Sequence, residues 1–140
     1  MNTTTDELLK ILKNKNVDTY LEENKDELVN QPLKDYLNKL LAEKNLTIPE
    51  VVKNSNMAQV YTNQIFSGVK KNPSRDKLIQ LCFGMNADFD ETQTILKYSG
   101  YAPLYPRDKR DSIIISAFMN NLPLMKCNEM LDENNLSPLA

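Results

Sequence analysis

Residues 46–74 read LTIPEVVKNSNMAQVYTNQIFSGVKKNPS. Thr47 and Glu50 are spaced as a capping box, and Pro49 is tolerated in a first helical turn. Leu46 and Val51 fit the apolar staple that accompanies such a start. The pattern predicts a short helix ending near Asn54, a break at residues 55–57, and a second helix from about Ala58 to Ser67. Asn56 is the natural pivot, because asparagine tolerates the left-handed conformation of a tight turn. Gly68 closes the second helix. Lys70, Lys71, Asn72 and Pro73 then form a basic loop, and Ser74 caps the helix after it. Two short helices across a tight break have the layout of a helix-turn-helix, whose second helix enters the DNA major groove.

Helical periodicity extends in both directions, and the fold class expected is all-α. No alternating strand run and no Asn-Gly or Asp-Gly hairpin turn occurs. Upstream, Thr4 with Glu7 caps a piece carrying Leu8, Ile11 and Leu12, and a second amphipathic piece spans about Asp18 to Val29. Gln31-Pro32 breaks it. Pro32 opens a strong helix with Leu33, Tyr36, Leu37, Leu40 and Leu41 on one side, ended by Asn45. Downstream, Leu78, Ile79, Leu81, Cys82 and Met85 form the inner side of the helix capped by Ser74. Asp88 and Glu91 open the next helix, which Gly100 ends. After the connection YAPLYPR, residues 101–107, Asp108 and Asp111 open an apolar helix through IIISAFM, and Pro123 begins the last one. The expected organisation is an acidic helical arm (1–31), a helix-turn-helix domain (32–100) and a C-terminal helical extension (101–140).

Several chemistries are excluded by composition. The chain of 140 residues has no histidine, which removes Ser-His-Asp and Cys-His nucleophile systems and the commonest zinc ligand. Its acidic residues cluster at helix starts and solvent faces, away from apolar surroundings that would shift a carboxyl pKa. No enzyme, catalytic residue, metal site or cofactor is therefore expected. Cys82 and Cys127 match no metal or redox spacing and sit in apolar-periodic segments, so they read as buried free thiols of a reducing cytoplasm. No apolar run approaches the ~20 residues of a membrane span, and the polar, acidic start MNTTTDELLK is no secretory signal.

The formal net charge of −2 does not itself suggest a nucleic-acid partner, but its distribution does. Residues 44–77 hold six cations against Glu50 and Asp76, a local excess of about four. Residues 1–31 and the stretch from 86 onward each carry an acidic excess of about three. A basic middle between acidic ends is the field that phosphate contact requires. Chance clustering on a solvated face is the plainer reading of the same numbers.

On the second helix, ~100° per residue places Met57, Ala58, Tyr61, Thr62 and Ile65 on the packed side. Gln59, Val60, Asn63 and Ser67 point the other way, with Gln64 at the edge. Gln and Asn can bond bidentately to adenine, and Val60 suits a thymine methyl. The alternative is an uncharged solvent face of a core helix. Against it, no charged residue occurs between Met57 and Gly68. Lys70 and Lys71 would neutralise phosphates, with Ser74 and Arg75 at a helix N-terminus beside them. A mobile, merely solubilising loop is the plainer reading of the lysines.

Residues 33–96 resemble the DNA-binding domain of the Cro and phage-repressor type, the XRE or lambda-repressor-like family, through the helix-turn-helix and the GVKKNPS loop at the matching place. The resemblance implies five packed helices, here with additional N- and C-terminal helices, in a bacterial, sequence-specific transcriptional regulator of repressor type. It places base reading on Gln59, Val60, Asn63 and Gln64. It places phosphate contacts at Thr47, Asn56, Lys70, Lys71 and Arg75. The sequence departs from the family at Asn56, usually Gly, at Val52, usually Ala, and at Phe66, where Glu is common. Such domains usually act as symmetric dimers on double-stranded DNA. IIISAFM is the candidate homodimer surface, or else it closes the core. A different reading is a protein-interaction module on the same scaffold, binding another regulatory or signalling protein through Val60, Phe66 and the N-terminal arm.

Overall fold

The computed structural model describes residues 31–70 and 72–139, and all regular structure in them is helical. The N-terminal arm, with its two amphipathic pieces at 1–30, lies outside the described residues, as does Lys71. Seven helices are described: α1 (Gln31–Glu43), α2 (Ile48–Ser55), α3 (Gln59–Ser67), α4 (Arg75–Gly84), α5 (Phe89–Tyr98), α6 (Lys109–Met119) and α7 (Leu124–Glu133). None is long and apolar enough to cross a membrane.

Local chemistry sets most of these boundaries. Thr47 with Glu50, and Asp88 with Glu91, form complete capping boxes at α2 and α5. Ser74 and Asp108 accept from the backbone N–H three residues on and start α4 and α6. A left-handed residue follows each helix: Asn45, Asn56, Gly68, Asn86, Gly100, Asn121 and Asn135. Asparagine and glycine adopt that conformation at the least steric cost.

These are short helices, and short helices are stable only when packed. A single buried cluster holds Leu37 and Leu40 of α1, Val51 of α2, Ile65 and Phe66 of α3, much of α4, and Ile95 and Leu96 of α5. Leu104, Ile114, Ala117, Phe118, Leu124, Cys127, Leu131 and Leu139 belong to the same cluster. Residues 101–139 thus share the core of the preceding helices. Within IIISAFM, Ile114, Ala117 and Phe118 are buried, and Ile113 and Ile115 pack partly against the core. Phe83 and Phe118 stack at 4.1 Å and join α4 to α6. Tyr36 and Tyr98 meet edge to face at 5.5 Å and join α1 to α5.

The central α4 is buried along most of its length. Its Gly84 lets α2 approach closely: a Cβ there would lie 2.6 Å from the Val51 carbonyl oxygen and 2.6 Å from the Ser55 Cβ. Gln80, also buried, donates from Nε2 to the Ser55 carbonyl at 3.1 Å and ties α4 to the end of α2.

Cys82 and Cys127 are buried and unpaired. Burial pushes the Cys82 thiol up from 9.0 to about 12, with a hydrogen bond to Thr92 pulling weakly the other way. Burial raises Cys127 from 9.0 to about 11 against the pull of Arg110. A thiol whose folded pKa is raised adds stability that is complete below its unfolded pKa and is lost as pH climbs toward the folded value. Stability is therefore expected to fall from about pH 9 upward. Urea midpoints measured between about pH 8 and about pH 11 check this, with Cys82→Ala reducing the slope. A midpoint independent of pH would contradict it.

Candidate nucleic-acid interface

α3 is two-faced. Thr62, Ile65 and Phe66 are buried, and the Thr62 hydroxyl donates back to the Ala58 carbonyl at 2.9 Å. Asn38 of α1 donates from Nδ2 to the Phe66 carbonyl at 2.9 Å and fixes the end of the helix. On the other side Gln59, Val60, Asn63 and Ser67 are exposed, and Gln64 is half-buried. Val60 keeps 70 % of its surface in solvent. The four expected base-reading residues therefore share one face, with Gln64 at its edge. Two side chains differ from expectation. Ala58, expected on the packed side, is exposed at the helix N-cap. Phe66, placed outward by the protein-interaction reading alone, is 3 % exposed and part of the core.

An open hollow of about 470 Å³ runs along this face, lined by Asn38, Ile48, Val60, Asn63, Gln64, Phe66 and Ser67. α1 and the start of α2 thus frame the outer side of α3. Beyond the C-terminal end of α3, Lys70 is exposed, with its backbone N–H on the Gln64 carbonyl at 3.0 Å and its Nζ 5.7 Å from the Tyr61 ring centre. Lys34 of α1 lays its stem against the left-handed Gly68, its Cδ only 3.1 Å from where a Cβ would stand. It brings a second cation to the same end. Sequence reading missed Lys34 and Asn38, although they sit one turn apart on the polar side of α1.

The remaining expected phosphate contacts divide. The Ser74 hydroxyl accepts from the Lys77 N–H at 3.2 Å, stays exposed, and donates to no acceptor among the described residues. Thr47 is exposed, but its hydroxyl both donates to the Glu50 carboxylate at 3.0 Å and accepts from the Glu50 N–H. The Glu50 carboxylate therefore stands at the N-terminus of α2. Asn56 is exposed and left-handed at φ 56°, as the turn requires. It opens on a different hollow, of about 610 Å³, shared with Lys53, Met125, Asn128 and the acidic Glu129 and Asp132 of α7.

Arg75 is withdrawn from the phosphate set. Its Nη1 and Nη2 grip both oxygens of Asp111 at 3.1 and 2.9 Å. Its Nε and Nη2 also donate to the carbonyls of Ala102 and Pro103. The guanidinium fork is consumed in tying the 101–107 connection and α6 onto α4. Next to it, Arg110 grips Asp76 and the carbonyls of Ser137 and Pro138.

These pairs reshape the basic middle. Lys44 is held by Glu91 at 3.0 Å, and Arg75 by Asp111. Lys53, Lys70 and Lys77 enter no ion pair among the described residues. No group of three or more Cys, Asp or Glu side chains is placed to hold a metal ion among the described residues.

The chain matches no protein-family model, no curated protein and no solved structure. The face of α3 and the cations beside it are thus the observations on which a function can be built.

Proposed function

We propose that this protein is a sequence-specific DNA-binding transcriptional regulator of repressor type, with α3 in the major groove. In this reading α1–α5 form a lambda-repressor-like domain, and two copies bind a double-stranded operator as a homodimer. The observation that carries it is the face of α3: exposed, uncharged and rich in amides, on a helix whose other face is locked in the core. Rigid placement is what base reading demands of a helix. Gln59, Val60, Asn63 and Gln64 read bases. Lys70 and Lys71, with the added Lys34 and the N-terminus of α4 at Ser74, neutralise or bond phosphates.

Fluorescence anisotropy with the gene's own upstream DNA and with a scrambled duplex, across a salt series, tests the reading. Affinity is expected to fall linearly in log–log form, with a slope of about −0.9 per phosphate neutralised. Gln59→Ala is expected to weaken the specific duplex by about tenfold and to leave the scrambled one nearly unchanged. Equal losses on both would remove Gln59 from base reading.

A second reading, a protein-interaction module, is favoured by two exposed valines, Val60 and Val69 at 70 % and 68 %, and by the open hollow beside the former. Phe66 has no part in it, being buried. Absence of binding to either duplex at low salt, with a nuclease-insensitive protein partner captured through Val60, would select it.

A further inference from the structure

We infer that the hollow where α2, α4 and α6 end is a binding site for a small uncharged molecule, an aromatic ring with an amide edge. The inference stands apart from the DNA-binding reading.

The hollow is about 380 Å³, within the ~300–1,000 Å³ of small-molecule sites. Two helix ends of the same design build it. Phe83 lies in the last turn of α4, with Asn86 three residues on; Phe118 and Asn121 are placed the same way at the end of α6. Both asparagines are left-handed, at φ 54°. Their backbone N–H groups bond the Phe83 and Phe118 carbonyls at 3.1 and 3.2 Å. Backbone alone closes each helix, so neither side-chain amide is needed there. Asn54, Asn86 and Asn121 all line the hollow, and none of their side chains has a hydrogen-bond partner among the described residues.

Leu46, Leu122 and the stacked Phe83 and Phe118 supply the apolar wall, which suits a ring. Each asparagine amide offers donors and an acceptor, and a ligand amide answers both. The wall carries no Asp, Glu, Lys or Arg among the described residues. Lys44, which donates to the Asn86 carbonyl at 3.3 Å, is already held by Glu91 at 3.0 Å. An ion entering would therefore shed water and meet no counter-charge. No acid, base or nucleophile lines the hollow either, so its chemistry is that of holding a ligand unchanged.

The test titrates the full-length chain with benzamide to millimolar concentrations and follows the side-chain amide resonances of Asn54, Asn86 and Asn121. They are expected to shift and to saturate. Benzoate and benzylammonium, the same ring carrying a charge, are expected to bind about tenfold more weakly or worse. Asn86→Gly and Asn121→Gly each delete one amide where glycine is the residue best suited to the left-handed backbone, so the fold is kept. Each is expected to weaken benzamide several-fold without lowering the urea midpoint. Resonances that stay still up to the solubility limit of benzamide would overturn the inference. So would equal binding of the three probes, or unaltered benzamide affinity in both glycine variants. DNA binding is a separate measurement, on which none of these results bears.

Discussion

Gly84→Ala is expected to lower stability by about 2 kcal/mol, although alanine is the better helix former by about 1 kcal/mol. The added Cβ would stand 2.6 Å from the Val51 carbonyl oxygen and from the Ser55 Cβ, so α2 must move away from α4. Backbone cannot swing aside as a side-chain tip can. Urea denaturation at fixed protein concentration measures the loss. Ser55→Gly added to the variant removes one of the two collisions and is expected to restore part of the stability, never all of it. Unchanged or raised stability would mean that the close approach of α2 to α4 is wrong. On the proposed function, because α2 leads directly into α3, the variant is also expected to weaken operator binding more than Gln59→Ala does.

Arg75→Ala is expected to cost about 2–3 kcal/mol, below the figure for a fully buried pair because Arg75 keeps 24 % of its side chain exposed. The variant leaves the Asp111 side chain, itself 10 % exposed, with the Tyr105 N–H as its one tertiary donor among the described residues. It also frees the Ala102 and Pro103 carbonyls. Arg75→Lys is expected to recover little, since an ammonium cannot reproduce the fork. DNA binding of the folded variant separates this role from a phosphate contact. Loss of a phosphate contact reduces the salt slope by about one, whereas loss of a clamp leaves it unchanged. A reduced slope with unaltered stability would return Arg75 to the interface.

Helix ends were legible in the sequence because their causes are local. Thr47 with Glu50, Ser74, Asp88 with Glu91, Asn56 and Gly68 act on backbone within a few residues, so spacing alone places them. Polarity and period likewise separated Gln59, Val60 and Asn63 from Thr62 and Ile65. The burial of Phe66 was not legible, because helical phase defines an arc but not how much of it neighbours cover. Here Phe66 joins the core, and Asn38 of α1 bonds its carbonyl. The ion pair of Arg75 was hidden for a longer-range reason. Its partner lies 36 residues on, and a basic residue at a helix start looks the same whether it awaits a phosphate or a carboxylate. The burial of Leu104, Ile114 and Leu139 with the helices before them is tertiary too, and no local signal distinguishes a core-closing helix from a dimerising one.

On the proposed function, the stops on either side of α3 limit how much of a DNA sequence one chain can read. Asn56 and Gly68, both left-handed, hold the helix to nine residues. At ~1.5 Å per residue and ~3.4 Å per base pair, that length lies along about four base pairs. Four fully read pairs carry about eight bits, a word that recurs by chance roughly once in 256 positions, far too often to mark one gene among millions of competing sites. Two copies reading two such words raise the figure to roughly one in 65,000. On the proposed function, pairing of two chains is therefore a requirement of information before it is one of affinity.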